Sequence, residues 1–180
     1  TVYQSEWSRQ RIIDEIVKHE KNYSVISNGC DATMFRPFPQ AERKQINLIH
    51  VGKMRDAYLA EMIIKTYKKL KMGRKNIKLL LAGTMDGPFA KVINGNLDSG
   101  IVKLGNFVNT KLPRIYNMGD IFLNLRQGCS SNNVISEAQA CGVPVIAPRW
   151  GGDAEMIDNG QSGIIVESGR WDYDDKYVDN

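Results

Sequence analysis

The feature that most constrains this chain is a series of short runs that are apolar at nearly every position, separated by segments of helical period. The runs fall at 24–27, 46–51, 77–82, 101–104, 121–125 and 144–147. Between them, helical spacing covers 59–71, roughly 88–93, 112–117 and 134–141. A strand apolar throughout is buried on both faces, and helices joining such strands cross over with one hand to build a parallel sheet. The sequence thus predicts an α/β fold, a doubly wound parallel-sheet Rossmann-like domain over 1–180. Ahead of the first long run, Ile12, Ile13, Ile16 and Val17 recur at helical spacing, predicting an extended lead and an amphipathic helix over 6–19 with Ser5 as its cap.

Composition narrows the function classes. Of 180 residues, 42% are hydrophobic and 24% charged, the balance of a folded domain rather than a disordered chain. No apolar run approaches the ~20 residues of a membrane span, and no signal-peptide pattern opens the chain. It begins at Thr1 without an initiator Met, and is expected to be a piece of a longer protein. The polar tail after Gly169, WDYDDKYVDN, reads as the start of a segment that continues. Its Asp172, Asp174 and Asp175 are read as solvated rather than as a metal site. A net charge of +4 is modest, and nucleic-acid binders carry denser basic faces with stacking aromatics, so no nucleic-acid partner is expected. Lys65, Lys68, Lys69, Lys71, Arg74, Lys75 and Lys78 do cluster. They read as a solvated helix face or, more sharply, as a patch for anionic lipid headgroups. Cys30, Cys129 and Cys141 lack disulfide or metal spacing, which favours a reducing compartment: the cytoplasm, including the cytoplasmic face of a membrane.

Open parallel sheets bind ligands at the C-terminal ends of their strands, in the crevice where strand order reverses. That directs attention to the loops after Val51, Ala82, Leu104 and Leu125. In HVGKM, Gly52 lets a ligand approach the backbone, and Lys53 places a cation at the crevice mouth. A diphosphate leaving group needs such a partner. His50, within the run, reads as a packed core histidine. In LLLAGTMDG, Gly83 ends a strand, either leaving room for a ribose or base or making a plain strand-to-helix turn. Cys129 opens the stretch CSSNNVISEAQACGVPVIA. There Ser131, Asn132 and Asn133 are capping types directly before a helix, whose free first-turn N–H groups suit an anion. Glu137 stands about one turn further in, either solvated or facing the crevice to accept from sugar hydroxyls.

Longer stretches carry a resemblance. ISEAQACGVPVIAPRWGGDAEMIDNGQSGIIV, 135–166, resembles the family-4 retaining glycosyltransferases, whose pattern is EAxAxGxPVIAxxxGGxxExIxxGxxG followed by a short strand. VISNGCDATMFRP, INLIHVGKM and VKLGNFVNTKLPRIYNMGDIFLNL resemble three further stretches of that family, in order. The resemblance implies the donor-binding, C-terminal half of a two-domain GT-B enzyme. The N-terminal acceptor-binding domain would be absent, and the chain alone inactive. It also implies that Glu137 holds ribose hydroxyls and Lys53 the diphosphate. The amides around Asn133 and Val134 would meet diphosphate or sugar, and Asn106, Phe107 and Val108 would flank the base. No metal or other cofactor is expected, because cations and helix N-termini neutralise the charge. A role in surface polysaccharide or glycolipid synthesis would follow.

Two departures stand out. The family's second basic residue falls where this chain has Tyr58 and Leu59, leaving Arg55 as a helper for Lys53. Its acidic partner to Glu137 falls at Cys129, and no Asp or Glu lies between Asp120 and Glu137. A thiol is a poor acceptor. The expectation is that the sugar adds little to donor affinity. The alternatives are a non-catalytic nucleotide-binding module, favoured by Cys129, and a GT-B sugar-nucleotide epimerase, which the EAxACGxPVIA and GGxxE spacing disfavours. A dehydrogenase is disfavoured because no GxGxxG follows the first strands.

Overall fold

A computed structural model describes residues 1–16, 22–40, 42–168, 170–171 and 177–178. His19 and the tail residues Asp172, Asp174 and Asp175 lie outside them. The chain opens with β1 (Val2–Tyr3) and α1 (Glu6–Glu15), and β2 (Ser24–Val25) pairs in parallel with β1. The main body follows: β3 (Ile46–Val51), α2 (Ala57–Gly73), β4 (Ile77–Ala82), α3 (Gly87–Asn94), β5 (Ile101–Gly105), α4 (Leu112–Tyr116), β6 (Ile121–Leu123), α5 (Asn133–Ala140), β7 (Val145–Pro148) and β8 (Gly163–Val166). Short 3-10 turns stand at Asn109–Lys111 and Gly152–Met156. A short antiparallel pair, β9 (Arg170–Trp171) and β10 (Tyr177–Val178), lies near the end.

The six strands β3 to β8 form one sheet in the order β5-β4-β3-β6-β7-β8, every pairing parallel. Residues along each strand alternate between two cores. Leu48, Leu79, Leu81 and Leu123 face Leu59, Ile63 and Tyr67 of α2 and Phe89 of α3. Ile49, Val51, Leu80, Phe122 and Val145 face Tyr116 of α4 and Ile135 and Ala138 of α5. Both faces are therefore covered, which is why the strands read as continuous apolar runs. The doubly wound Rossmann-like architecture read from the sequence is the one observed.

Strand order reverses between β3 and β6, because the chain winds outward from β3 to β5 and then returns to the other side. The C-terminal ends of these two strands consequently frame the crevice of the sheet.

The leading helix differs from expectation. Ser5 caps α1 in a capping box with Ser8, as its position predicts, but Ser8 is the only buried residue of the helix. Ile16 is 75% exposed, and Ile12 and Ile13 are only half-buried, so the apolar stripe has little to rest on among the described residues, Val17 lying outside them. On α2, Lys71 pairs with Asp98 at 2.8 Å and Lys68 donates to Asn96 at 2.6 Å, while Lys65 and Lys69 face outward. Among the described residues, no helix is long and apolar enough to cross a membrane.

Candidate functional site

A cavity of about 120 Å³ opens at the switch point, lined by His50, Val51, Gly52 and Lys53 from the end of β3. Asn124 and Arg126 after β6, and Asn132 and Val134 at the start of α5, complete it. Its size is below the ~300 Å³ at which small-molecule pockets usually begin, so it fits one moiety of a larger ligand. A larger cavity of about 300 Å³ lies beyond the C-terminus of α5, lined by Gln139, Val143, Pro144 and Ser162, without a charged side chain.

Each wall has a local cause. Gly52 adopts φ 147°, a backbone that side chains disfavour, and this turns the chain so that Lys53 stands exposed at the rim. Arg126, also exposed, donates from Nη2 to the Lys53 carbonyl at 3.2 Å. Two cations thus share one rim, and the second comes from a residue the sequence reading did not single out. Arg55, expected to help Lys53, instead turns to Asp86, with 3.9 Å between the charged groups. Asn132 caps α5 without a side-chain cap bond, leaving the N–H groups of Asn133 and Val134 without a protein acceptor among the described residues.

His50 is buried, as read from the sequence, with its ring stacked on Phe122 at 6.0 Å between centroids. Its Nδ1 lies 2.7 Å from the Leu123 carbonyl, which can only accept, so Nδ1 carries the proton and Nε2 is left as an acceptor. Burial pushes its pKa down to about 4, so the ring is neutral at pH 7.

The largest surprise is Asp153. Only 2% exposed, it comes from the 3-10 turn after β7 and reaches the first residues of α5. Its Oδ1 accepts from the Asn132 backbone at 2.9 Å. Its Oδ2 accepts from the side-chain amides of Asn132 at 2.5 Å and Asn124 at 2.8 Å. The pair Gly151-Gly152 makes this reach possible, since a Cβ on Gly152 would lie 1.9 Å from the Ser130 carbonyl and 2.2 Å from Ser5 Oγ. Cys129 sits beside this cluster, its thiol pushed up by burial, and its carbonyl accepts from Gly152 N at 2.7 Å. The sequence shows no acid between Asp120 and Glu137, yet a carboxylate reaches this corner from beyond that window.

Other expected residues stand elsewhere. The space beside Gly83 holds the Gly52 carbonyl, 2.0 Å from where a Cβ would be, so close backbone packing explains this glycine rather than room for a ribose or base. Ser131 accepts from Asn28 N at 3.3 Å and donates to the Met156 sulfur at 3.1 Å, fastening the Asn28 turn instead of facing the cavity. Asn133 is exposed at the first position of α5. Asn106 accepts from Thr84 Oγ1 at 3.0 Å and, with half-buried Phe107 and exposed Val108, follows the edge strand β5 outside the cavity lining. Glu137 is half-buried and also outside that lining; its Oε2 accepts from the buried Tyr116 hydroxyl at 2.7 Å. Burial, reinforced by Glu137, holds the Tyr116 hydroxyl protonated far above its usual range. Tyr116 thus fixes the Glu137 carboxylate, leaving Oε1 for an outside donor. Among the described residues, no cluster of His, Cys, Asp or Glu is suited to hold a metal ion.

A six-stranded parallel sheet covered by helices on both faces, with its crevice at the switch point, is the Rossmann-like α/β architecture of GT-B glycosyltransferases. The chain belongs to the glycosyl transferases group 1 family, whose model matches residues 45–175. It is 29% identical over 169 residues to N-acetyl-alpha-D-glucosaminyl L-malate synthase of Bacillus anthracis, covering 86% of this chain and 43% of that protein. It is 34% identical over 95 residues to a GDP-mannose-dependent alpha-mannosyltransferase of Corynebacterium glutamicum, covering 53% of this chain and 22% of the relative. In fold it matches a glycosyltransferase from Rickettsia africae with a TM-score of 0.77 at 21% identity, over 92% of this chain and 48% of that one. It also matches Anabaena HepE, solved in complex with UDP and glucose, with a TM-score of 0.73 at 18% identity over the same shares. The chain spans less than half the length of these curated relatives.

Proposed function

We propose that this chain is the donor-binding half of a retaining glycosyltransferase, holding a nucleoside diphosphate sugar for transfer to an acceptor carried by another domain. The observation that carries this reading is that Lys53, Arg126 and two residues at the start of α5, Asn132 and Val134, line one cavity at the switch point. Negative charge grows on the diphosphate as the glycosidic bond breaks, and fixed cations and oriented N–H groups lower that barrier. With this charge neutralised by the protein, donor binding needs no metal and persists in excess chelator. In this reading Glu137, its Oε2 held by Tyr116, accepts from ribose hydroxyls through Oε1. Two relatives are named for alpha products. An alpha-linked sugar nucleotide gives such products when its stereochemistry is retained. Assembly of a surface polysaccharide or glycolipid fits such a transfer.

The stripe of α1 that the described residues leave uncovered fits a second domain. Trp7, Arg11, Ile12 and Glu15 face Gly128 and Ser130 across a groove of about 510 Å³. The acceptor-binding domain would rest there.

A thermal-shift panel of uridine, guanosine, adenosine and thymidine diphosphates, with and without sugar, tests the reading. Ligands that bind the folded state raise its melting temperature by mass action, so one base should stand out. A panel with no shift for any member would remove the donor-binding assignment.

A further inference from the structure

We infer that Asp153 is a positioning residue that turns Asn124 and Asn132 into a neutral, acceptor-only wall for the hydroxyls of the donor sugar; this rests on the donor-binding reading above. Three N–H groups point at the Asp153 carboxyl, so both its oxygens act as acceptors here. Both amides must therefore present their NH₂ ends to Asp153, at 2.8 Å and 2.5 Å, which fixes an orientation that amides otherwise leave open. Their carbonyl ends, Oδ1 of Asn124 and Oδ1 of Asn132, receive no protein hydrogen bond among the described residues, and both residues line the cavity. His50 adds Nε2, its other nitrogen being committed to Leu123.

The cavity is thus divided by chemistry. Its rim carries the positive charges of Lys53 and Arg126, the start of α5 adds the free N–H of Val134, and Asn124, Asn132 and His50 offer uncharged acceptors. A diphosphate brings only acceptors and belongs at the rim. A polyol brings hydroxyl donors and matches the wall. Placing a diphosphate against Asn124 and Asn132 would set oxygen against oxygen, with the Asp153 charge behind them. A sugar hydroxyl there completes hydrogen bonds that would otherwise have to be made by water, and leaving them unmade is costly. The missing acid at Cys129 is thereby compensated by an acid acting through two amides. This reverses the expectation that the sugar contributes little.

Calorimetric titration of this chain with UDP, GDP, ADP and dTDP, each beside its glucose and mannose conjugates, tests the proposal. For the base that binds, a conjugate should bind roughly tenfold or more tightly than its diphosphate. Asp153→Asn and Asn132→Ala should bring the two within about threefold. Thermal denaturation reports whether each variant folds, and Asn132→Ala keeps the test open should Asp153→Asn not fold. Conjugates carrying fluorine in place of single hydroxyls, which accepts but does not donate, should lose the advantage at one or more ring positions. Diphosphate binding without any sugar advantage would overturn the wall while sparing the donor site, as would an advantage that survives both variants. Silence from every ligand would sink both.

Discussion

At the scale of single residues, the site joins groups of unequal visibility. Lys53 should act through charge, so Lys53→Ala is expected to weaken diphosphate binding far more than binding of the bare nucleoside. Equal losses for the two ligands in parallel titrations would assign Lys53 a structural role. Arg126→Ala should show the same split, because its guanidinium shares the rim. Glu137→Ala is expected to weaken nucleoside diphosphate binding by about ten- to a hundredfold, the value of a charge-assisted hydrogen bond, without unfolding the domain. Unchanged calorimetric affinity would remove Glu137 from the site. Lys53, Asn132 and Val134 were legible in the sequence because each sits at a strand end or helix start, where local pattern marks the position. Arg126 and Asp153 were not. Arg126 meets a residue 73 positions away, and Asp153 meets Asn132 across 21 positions. Such contacts depend on how loops approach one another, and no local period encodes that. Gly83 left two readings open for a related reason: its backbone freedom is visible in sequence, but the carbonyl that fills its space is not.

At the scale of elements, legibility followed burial. Strands covered on both faces, such as β3 and β4, show as unbroken apolar runs and matched their expected bounds at both ends. The edge strand β8 is half as informative, since Ile164 is 54% exposed and Val166 37%; only the family pattern anticipates a strand there. A helix was read over 6–19 and α1 covers Glu6–Glu15, but its isoleucines are not its buried face, because period reveals an apolar stripe without revealing what covers it. Its anchoring was missed as well. Glu155 accepts from the backbone N–H groups of Glu6 at 2.8 Å and Trp7 at 2.7 Å, occupying donors that the first turn of α1 leaves free. Glu155→Ala should loosen this helix by roughly 1 kcal/mol, the carboxylate being partly screened by solvent. Hydrogen exchange should then quicken over Glu6–Glu15 while the amides of β3 and β4 keep their protection; uniform change would contradict a local anchor. Gly152→Ala should be worse, because backbone and Ser5 already fill the space of its Cβ; a loss of about 1–3 kcal/mol or more is expected from denaturant titration.

At the scale of the whole molecule, stability should depend on His50. Its folded pKa of about 4 lies below the ~6.5 of an unfolded histidine, so the unfolded chain binds the proton first. The stability this contributes is complete above about pH 6.5 and is lost as pH falls from there towards 4, on the order of 3 kcal/mol in all. Urea titrations across that window should show a shallower pH slope in His50→Gln than in the parent, and equal slopes would mean that other groups govern acid sensitivity. The isolated chain is expected to bind donor yet transfer no sugar to any acceptor; turnover by the chain alone would overturn the half-enzyme reading. Finally, Asp153 and Glu155 stand on a single 3-10 turn. One grips the start of α5 and the other grips the start of α1. The turn therefore ties the start of α1 to the start of α5 through hydrogen bonds at both of its ends. Whatever displaces the start of that helix pulls on the same turn that holds Asn132, so the outer surface and the wall of the cavity share one support.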